Sequence, residues 1–409
     1  MGERKVGFTV VGKLALSGAR RGATGVVFGT LVMLGLALGV GAPADGLGIP
    51  SNTATLDGWT SEAVANPDYL SGVSCVSATF CVAVGWTTMA NAPQEFLAEE
   101  WNGTSWTGMT PADSSAGINL WSVSCTSSSF CMAVGDDGTQ TYAAAWNGAT
   151  WSTVPAVSLN PPRLYSNVLS AVSCASPSRC VAIGFEHNFQ DGGQPLVEQW
   201  DGTAWTLDST FPLTKYSVLQ AVSCPSVTFC MITGVAAPSI PAWTWNGSTW
   251  TARPYTQTQA SSDFIPTAPT AVTCTSATTC MVAGPTLDLF VPGGPPPSHQ
   301  PALLDFQFTA AAKWNGSSWA TRGLLTMPSW IGGMSCATAN FCVAAGAPNA
   351  AGSAAELWNG LIWIPLLTEN PGATSTFTSV SCPSTKFCMA VGEDGSSAFA
   401  EAYQPGLVP

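Results

Sequence analysis

All 14 cysteines of this chain fall into seven pairs with five residues between the partners. The pairs are Cys75/Cys81, Cys125/Cys131, Cys174/Cys180, Cys224/Cys230, Cys274/Cys280, Cys336/Cys342 and Cys382/Cys388. Successive first cysteines are 50, 49, 50, 50, 62 and 46 residues apart. A period near 50 is the mark of a repeat architecture, in which each unit buries its apolar faces only against its neighbours.

A second motif shares the period. WNGTSW (Trp101–Trp106) recurs as WNGATW, WDGTAW, WNGSTW, WNGSSW and WNGLIW, the last ending at Trp363. Asn-Gly supplies the positive φ angles a tight hairpin needs, and the flanking indoles can meet across the two strands. Each repeat then resolves into four short strands. In the second repeat they are A (Leu120–Cys125), B (Phe130–Gly135), C (Tyr142–Trp146) and D (Trp151–Val154). The A–B and C–D connections are short, and the B–C and D–A connections are longer. Four antiparallel strands per repeat of this length describe a blade of an all-β, seven-bladed β-propeller.

The ends of the chain carry the same conclusion. The seventh repeat stops after strand C at FAEAYQPGLVP, where Tyr403 stands 15 residues after Cys388 as Trp146 stands 15 after Cys131. The missing strand D is found at the other end, in LDGWTSEAV (Leu56–Val64), with Trp59 sixteen residues before Cys75. An N-terminal strand that completes the last blade closes the ring and leaves no free edge around it. Strand A also carries small residues. Three positions before each first cysteine stand Gly72, Ser122, Ala171, Ala221, Ala271, Gly333 and Ser379, and the residue just before it is Ser or Thr. Period-two alternation puts both positions on one face, as expected where the innermost strands crowd at the axis.

Across an A–B hairpin the paired cysteines lie within disulfide range, so seven local bridges are expected. Metal binding is the poorer account. Five-residue spacing is not a zinc-knuckle spacing, and the chain has only two histidines, His187 and His299. A redox C-x-x-C pair is absent. No metal or other cofactor is expected.

Export supplies the oxidising setting that disulfides need. Arg4, Lys5, Lys13, Arg20 and Arg21 precede an apolar run from Ala23 to Val40, and Ala42-Pro43-Ala44 offers a cleavage site. Residues 1–44 therefore read as a signal peptide, with an uncleaved anchor as the alternative. A short linker (45–55) and a single propeller (56–409) follow. Five of the 12 basic residues and one of the 24 acidic residues lie in 1–44, so the remainder carries a net charge of −16. Such a surface repels nucleic-acid backbones. The expected location is extracellular or cell-surface, the expected state a monomer, and any membrane contact is assigned to the N-terminal segment alone.

The combination S-C-x-S-x-x-x-C-x-A-V-G followed by W-N-G-x-x-W resembles bacterial secreted propellers of the BNR, or Asp-box, type over about residues 56–409. That family carries S-x-D-x-G-x-x-W between strands C and D. The Gly and second Trp match here, as in Gly103 with Trp106 and Gly148 with Trp151. The Asp position holds Trp101, Trp146, Trp200, Trp245, Trp314 or Trp358 instead, which makes the box a folding element. The resemblance implies a propeller and leaves its activity open, because the family includes sialidases, other glycosidases, receptors and assembly factors.

Function is expected on the face whose loops vary between blades, that of the B–C and D–A connections. Its B–C loops bring Trp86, Asp136, Asp137, Glu186, His187, Asp191, Glu393 and Asp394. The longest, about residues 285–311, brings Asp288, His299 and Asp305 and is expected to arch over the channel mouth. The D–A loops bring Trp121, Arg163, Tyr165, Tyr216, Tyr255, Asp263 and Trp330. Aromatics beside carboxylates suit a glycan, whose apolar faces stack and whose hydroxyls need acceptors; an extracellular protein is the other expected partner. A glycosidase would require two carboxylates to converge, drawn from Asp136, Glu186, Asp191, Asp305 and Glu393. A sialidase-type arginine triad would have to come from Arg163, Arg253 and Arg322, since Arg179 lies in an A–B turn on the opposite face. GDDGT (Gly135–Thr139) and GEDGS (Gly392–Ser396) lack the spaced oxygen ligands of a calcium loop and read as turns. Neither a nucleophile elbow, a phosphate-binding loop nor a zinc-protease motif is present. The leading expectation is a non-catalytic binding propeller, with a glycoside hydrolase and a purely structural surface protein as alternatives.

Overall fold

The computed structural model describes residues 58–405 except 67, 88–93, 113–116, 158–166, 187–193, 213–217, 236–241, 255–268, 288–305, 326–330, 348–353, 370–374 and 396. Twenty-eight strands form seven four-stranded antiparallel sheets, and the described residues contain no helix. The protein is a seven-bladed β-propeller. In the second blade strand A is Asn119–Ser127, B is Phe130–Asp136, C is Thr141–Trp146 and D is Trp151–Thr153. Their order across the sheet is A-B-C-D.

The ring closes as the two chain ends require. The N-terminal strand Trp59–Glu62 is strand D of the seventh blade and pairs with Ser397–Tyr403, setting Trp59 opposite Tyr403. Their rings lie 5.3 Å apart. The six Trp pairs of the other hairpins lie 5.1–5.8 Å apart, so Tyr403 and Trp59 reproduce the hairpin contact without a hairpin.

The hairpin motif works through three parts. In the second blade Asn147 Oδ1 accepts from the amides of Ala149 and Thr150, both at 2.9 Å. Gly148 takes φ 95°, a conformation open to glycine and strained for other residues. Trp146 Nε1 donates to the Ser128 carbonyl at 3.1 Å and so ties the C–D hairpin to the A–B turn beside it.

All seven cysteine pairs are bridged as the spacing predicts: Cys75–Cys81, Cys125–Cys131, Cys174–Cys180, Cys224–Cys230, Cys274–Cys280, Cys336–Cys342 and Cys382–Cys388. Their Cα–Cα distances are 3.9–4.1 Å. Each closes a short A–B loop, and loop-closure entropy assigns about 2 kcal/mol to each bridge.

The two sulfurs of a bridge differ in setting, which the spacing does not express. The second cysteines, Cys81, Cys131, Cys180, Cys230, Cys280, Cys342 and Cys388, are only 0–1% exposed. Each stands in strand B directly opposite the aromatic that ends strand C. Cys81 faces Trp101, Cys131 Trp146, Cys180 Trp200, Cys230 Trp245, Cys280 Trp314, Cys342 Trp358 and Cys388 Tyr403. A bridge across a surface hairpin would leave both sulfurs near water. Here the preceding blade closes over them, as Val82 and Val84 of the first blade do over Cys131 of the second, so these residues belong to the core.

Neighbouring blades are held by apolar packing and by hydroxyls. One cluster joins Val82 and Val84 of the first blade to Leu120, Val123 and Cys131 of the second, and the other interfaces repeat this scheme. At the axis, the residue before each first cysteine accepts a hydrogen bond from a cysteine amide of the next blade. Ser74 accepts from Cys125, Ser124 from Cys174, Ser173 from Cys224, Ser223 from Cys274, Ser335 from Cys382 and Ser381 from Cys75, each at 2.9 Å. Thr273 completes the circle by accepting from Cys336 at 3.2 Å. These positions are small, as crowding at the axis demands, and they also carry a hydroxyl because the neighbouring amide needs an acceptor.

Candidate functional site

Strand A bulges near its start. The register against strand B slips between Leu70 and Gly72, Leu120 and Ser122, Leu169 and Ala171, Leu219 and Ala221, Ile331 and Gly333, and Phe377 and Ser379. The skipped residue faces the mouth of the central channel. In most blades it is small. Ser71 donates to the carbonyls of Val84 (3.1 Å) and Leu120 (2.5 Å), and Thr378 does the same for Val391 (3.1 Å) and Leu70 (2.7 Å). A hydroxyl there lies within hydrogen-bond distance of one carbonyl of its own blade and one of a neighbouring blade, and its single proton is shared between them. In the second blade the position is Trp121.

Trp121 is an exception to the scaffold, and its surroundings are built for it. Its Nε1 donates to Asp136 Oδ2 at 2.8 Å. Asp136 Oδ1 accepts from Asn119 Nδ2 at 3.2 Å and from the Gly138 amide at 2.9 Å. The carboxylate is buried, and its acceptor sites hold the indole, the amide side chain and the following turn. The Trp121 ring lies 4.8 Å from that of Trp86, which stacks at 4.1 Å on Tyr69. Trp86 is buried between its two neighbours, whereas Trp121 remains 38% exposed. Packing within the propeller does not account for a bulky apolar ring left open at a bulge position that is small in four other blades and Gln220 in the fourth.

The aromatic strip crosses two blades, Tyr69 and Trp86 in the first and Trp121 in the second. Burial pushes the Tyr69 phenol above its ordinary value, and the charge of Glu393 in the seventh blade adds to the shift. At its other end Trp121 borders a channel cavity of about 190 Å³, lined also by Ser71, Gln220, Gly332 and Thr378.

A second repeated device holds the loops of this face. Two residues before the first hairpin Trp, or before Tyr403, strand C carries Glu99, Glu198, Glu356 and Glu401 in the first, third, sixth and seventh blades, all fully buried. Glu99 accepts from the amides of Ala65 (3.1 Å) and Asn66 (2.6 Å), in the segment that follows strand D of the preceding blade. Glu198 accepts from Val157 (3.2 Å), and Glu401 from Glu369 (3.2 Å). Glu99, Glu198 and Glu401 each pin the D–A connection of the preceding blade. In the fourth blade Trp243 takes this position and packs on Phe211 at 5.0 Å. Burial raises Glu198 to about 7, the Val157 amide opposing the shift. Its Oε1 has no protein partner.

The residues singled out in the sequence fall into three groups, apart from the bridged cysteines already placed in the core. Trp86, Trp121 and Asp136 come together, and they sit in strand rather than loop: Trp86 and Asp136 end strand B, and Trp121 lies inside strand A. The bulge accounts for this, because it carries pairing past the point where strict alternation ends. Asp137, Glu186, Glu393 and Asp394 lie on the same face but outside the Trp121–Asp136 contact. Asp137 Oδ1 accepts from the amides of Thr139 (2.9 Å) and Gln140 (2.7 Å), so GDDGT is an Asx turn built like the C–D hairpins. Glu186 closes strand B of the third blade opposite Asn167. Arg163, Tyr165, His187, Asp191 and Asp305 lie outside the described residues, as do Tyr216, Tyr255, Asp263, Asp288, His299 and Trp330. The long connection at 285–311 is shorter than expected, because Pro285–Leu287 and Phe306–Ala311 are strand. Arg253 is engaged within the protein: its guanidinium lies 5.6 Å over Trp314 and its Nε donates to Thr244. Among the described residues no three His, Cys, Asp or Glu side chains converge as a metal site would require.

Tyr69, which stacks on Trp86, and Gln220, which lines the channel, were not singled out. Their signal was available in Gln220, which departs from the small residues at its repeat position as Trp121 does.

No protein-family model matches the chain, and no curated protein matches it in sequence. Solved structures do. A structure described as YCF48 bound to D1 peptide aligns with TM-score 0.53 and 15% identity over 86% of this chain and 98% of that one. U3-55K aligns with TM-score 0.52 and 10% identity over 85% of this chain and 98% of that one. The GH74 xyloglucanase from Xanthomonas campestris aligns with TM-score 0.52 and 14% identity over 84% of this chain and 53% of that one. These likenesses define the class, a seven-bladed β-propeller, and at such identities they define the fold alone.

Proposed function

We propose that this chain is an exported, non-catalytic propeller that binds an extended segment of an extracellular protein across its channel mouth, with Trp121 as the central contact. One observation carries the reading: a scaffold position that is small or polar in the other blades is a part-exposed Trp in one, held by a buried carboxylate. Aromatic side chains that offer a wide apolar surface at low entropic cost recur at the centres of recognition sites. The peptide seen with YCF48 supports a protein ligand. So does the state of Asp136. Its oxygens are occupied by the protein's own donors, which leaves a glycan hydroxyl or a general-acid role poorly served there. A glycan is the second reading, supported by the xyloglucanase likeness, with a glycoside hydrolase as its catalytic form.

The rest of the assignment belongs to the same proposal. The seven disulfides suit an oxidising compartment, and with the N-terminal apolar run they support a secreted or surface-held protein. The hairpin Gly and second Trp support kinship with Asp-box propellers. A monomer without cofactor is the working state.

The test pairs wild type with Trp121→Ser, which restores the residue found at Ser71 and Ser170. Both are screened on peptide and polysaccharide arrays, with released sugar read from the same wells. Peptide binding weakened at least tenfold by the substitution, at unchanged melting temperature, is the expected result. Sugar release, or binding indifferent to Trp121, would overturn the reading.

A further inference from the structure

The C–D hairpin departs from its consensus in one blade. Its tip is Thr104-Ser105, Ala149-Thr150, Thr203-Ala204, Ser248-Thr249 or Ser317-Ser318 elsewhere, and Leu361-Ile362 in the sixth blade. Leu361 is 82% exposed and Ile362 61%. Ile364 and Leu367 continue the apolar surface along the outer strand Trp363–Leu366. The turn itself is ordinary. Asn359 Oδ1 accepts from the amides of Leu361 (2.9 Å) and Ile362 (3.0 Å), and Gly360 takes φ 96°. Thr-Ser makes the same turn in the first blade, so the fold does not require the apolar pair and water disfavours it. Such a surface marks a contact.

Three observations say what covers it. Pro365 stands in the outer strand, where it removes a donor and blunts the edge against pairing with another strand, so a second copy joined edge to edge is a poor fit. Gly58, the first described residue, stands at the hairpin end of the seventh blade, where its carbonyl accepts from the Gln404 amide at 2.8 Å. Trp59 takes the place of a second hairpin Trp opposite Tyr403. The sixth blade is the neighbour of the seventh, with Phe341 lying 6.4 Å from Tyr403. Finally, the N-terminal segment contains the uncharged apolar run 23–40, separated from Gly58 by residues 41–57. Such a connector reaches at most about 60 Å when fully extended. A tether of this length holds the hairpin at high local concentration near any bilayer in which the run sits.

We propose that, with residues 23–40 retained as the anchor that is the alternative to a cleaved signal, Leu361 and Ile362 insert into the outer leaflet of the membrane that holds the anchor. The propeller then stands with its hairpin face on the lipid and its variable-loop face, with Trp121, turned outward. The stretch WNGLIWIPLL (Trp358–Leu367) is uncharged, so contact is apolar and indifferent to lipid charge. This extends membrane contact beyond the N-terminal segment and does not depend on what Trp121 binds.

The test uses the full chain with its N-terminal segment, reconstituted into phosphatidylcholine vesicles doped with a lipid carrying a photoreactive group in its acyl chain. Labelled peptides are mapped by mass spectrometry. The expected result is labelling of 358–367 at least fivefold above the hairpin 245–250, unchanged by added anionic lipid. In Leu361→Ser/Ile362→Thr that labelling falls to the level of 245–250. The variant carries the tip chemistry of the other blades, and its seven disulfides and melting temperature confirm the fold. Labelling confined to the N-terminal segment would overturn the proposal. So would a chain recovered without residues 23–40 that fails to float with vesicles, or a dimer in solution that loses its contact in the variant.

Discussion

Replacing Glu198 with Gln raises stability in a window that the structure fixes. Glu198 is fully buried in strand C of the third blade, and burial moves its carboxyl from 4.5 to about 7. A carboxyl whose folded value lies above its unfolded value favours the folded state most when protonated in both states, below about pH 4.5. That contribution is lost as pH rises through 7, where the folded protein must carry a buried charge. The difference of about 2.5 units corresponds to roughly 3 kcal/mol at 1.36 kcal/mol per unit. Gln keeps the acceptor that the Val157 amide needs and removes the charge. Below pH 4.5 the two proteins should melt together. From pH 4.5 to 7 their melting curves should separate, and above pH 8 the variant should melt about 5 °C higher, taking roughly 2 °C per kcal/mol for a domain of this size. Differential scanning calorimetry at five pH values reads this directly. A constant difference between the proteins across the range, or a variant less stable above pH 8, would refute the argument that desolvation governs this group.

Two further substitutions test the scaffold. Ser223→Ala removes the acceptor 2.9 Å from the Cys274 amide, so we expect a loss of about 1–2 kcal/mol and faster hydrogen exchange at Cys274, with the remaining ring amides unchanged. Gly135→Ala drives a Cβ into the Asn119 carbonyl and should cost about 3 kcal/mol together with the Trp121–Asp136 contact. Gly108→Ala, where no atom lies within 4 Å of the added carbon, serves as its neutral control in thermal melts.

The architecture was legible because it is written seven times. Cysteine spacing marks strands A and B, the Trp hairpin marks C and D, and the split repeat at the two ends predicts the pairing of Trp59 with Tyr403. What repetition cannot express is contact between different residues of different blades. Trp86, Trp121 and Asp136 could be named one by one as aromatic and acidic groups on the variable face. That Trp86 would be buried between Tyr69 and Trp121 depends on the distance across a blade interface, which no spacing encodes. The buried glutamates were missed for a related reason. Glu198 stands beside Gln199 in a strand of ordinary polarity, and only the loop of the preceding blade closes over it. The limit is not absolute, because seven repeats in one chain act as seven variations on a single physical problem. Where the scaffold needs a hydroxyl four residues before the first cysteine, Ser71, Ser170, Thr270 and Thr378 supply it. Where a blade departs without relieving any strain, as at Trp121 or at the Leu361-Ile362 tip, the fold does not account for the residue, and the proposals above rest on that. Gln220 fits the same description: it is exposed at the bulge position of the fourth blade and lines the channel that Trp121 borders. Reading repeats against one another therefore separates residues that hold the ring together from residues that the ring holds out to a partner.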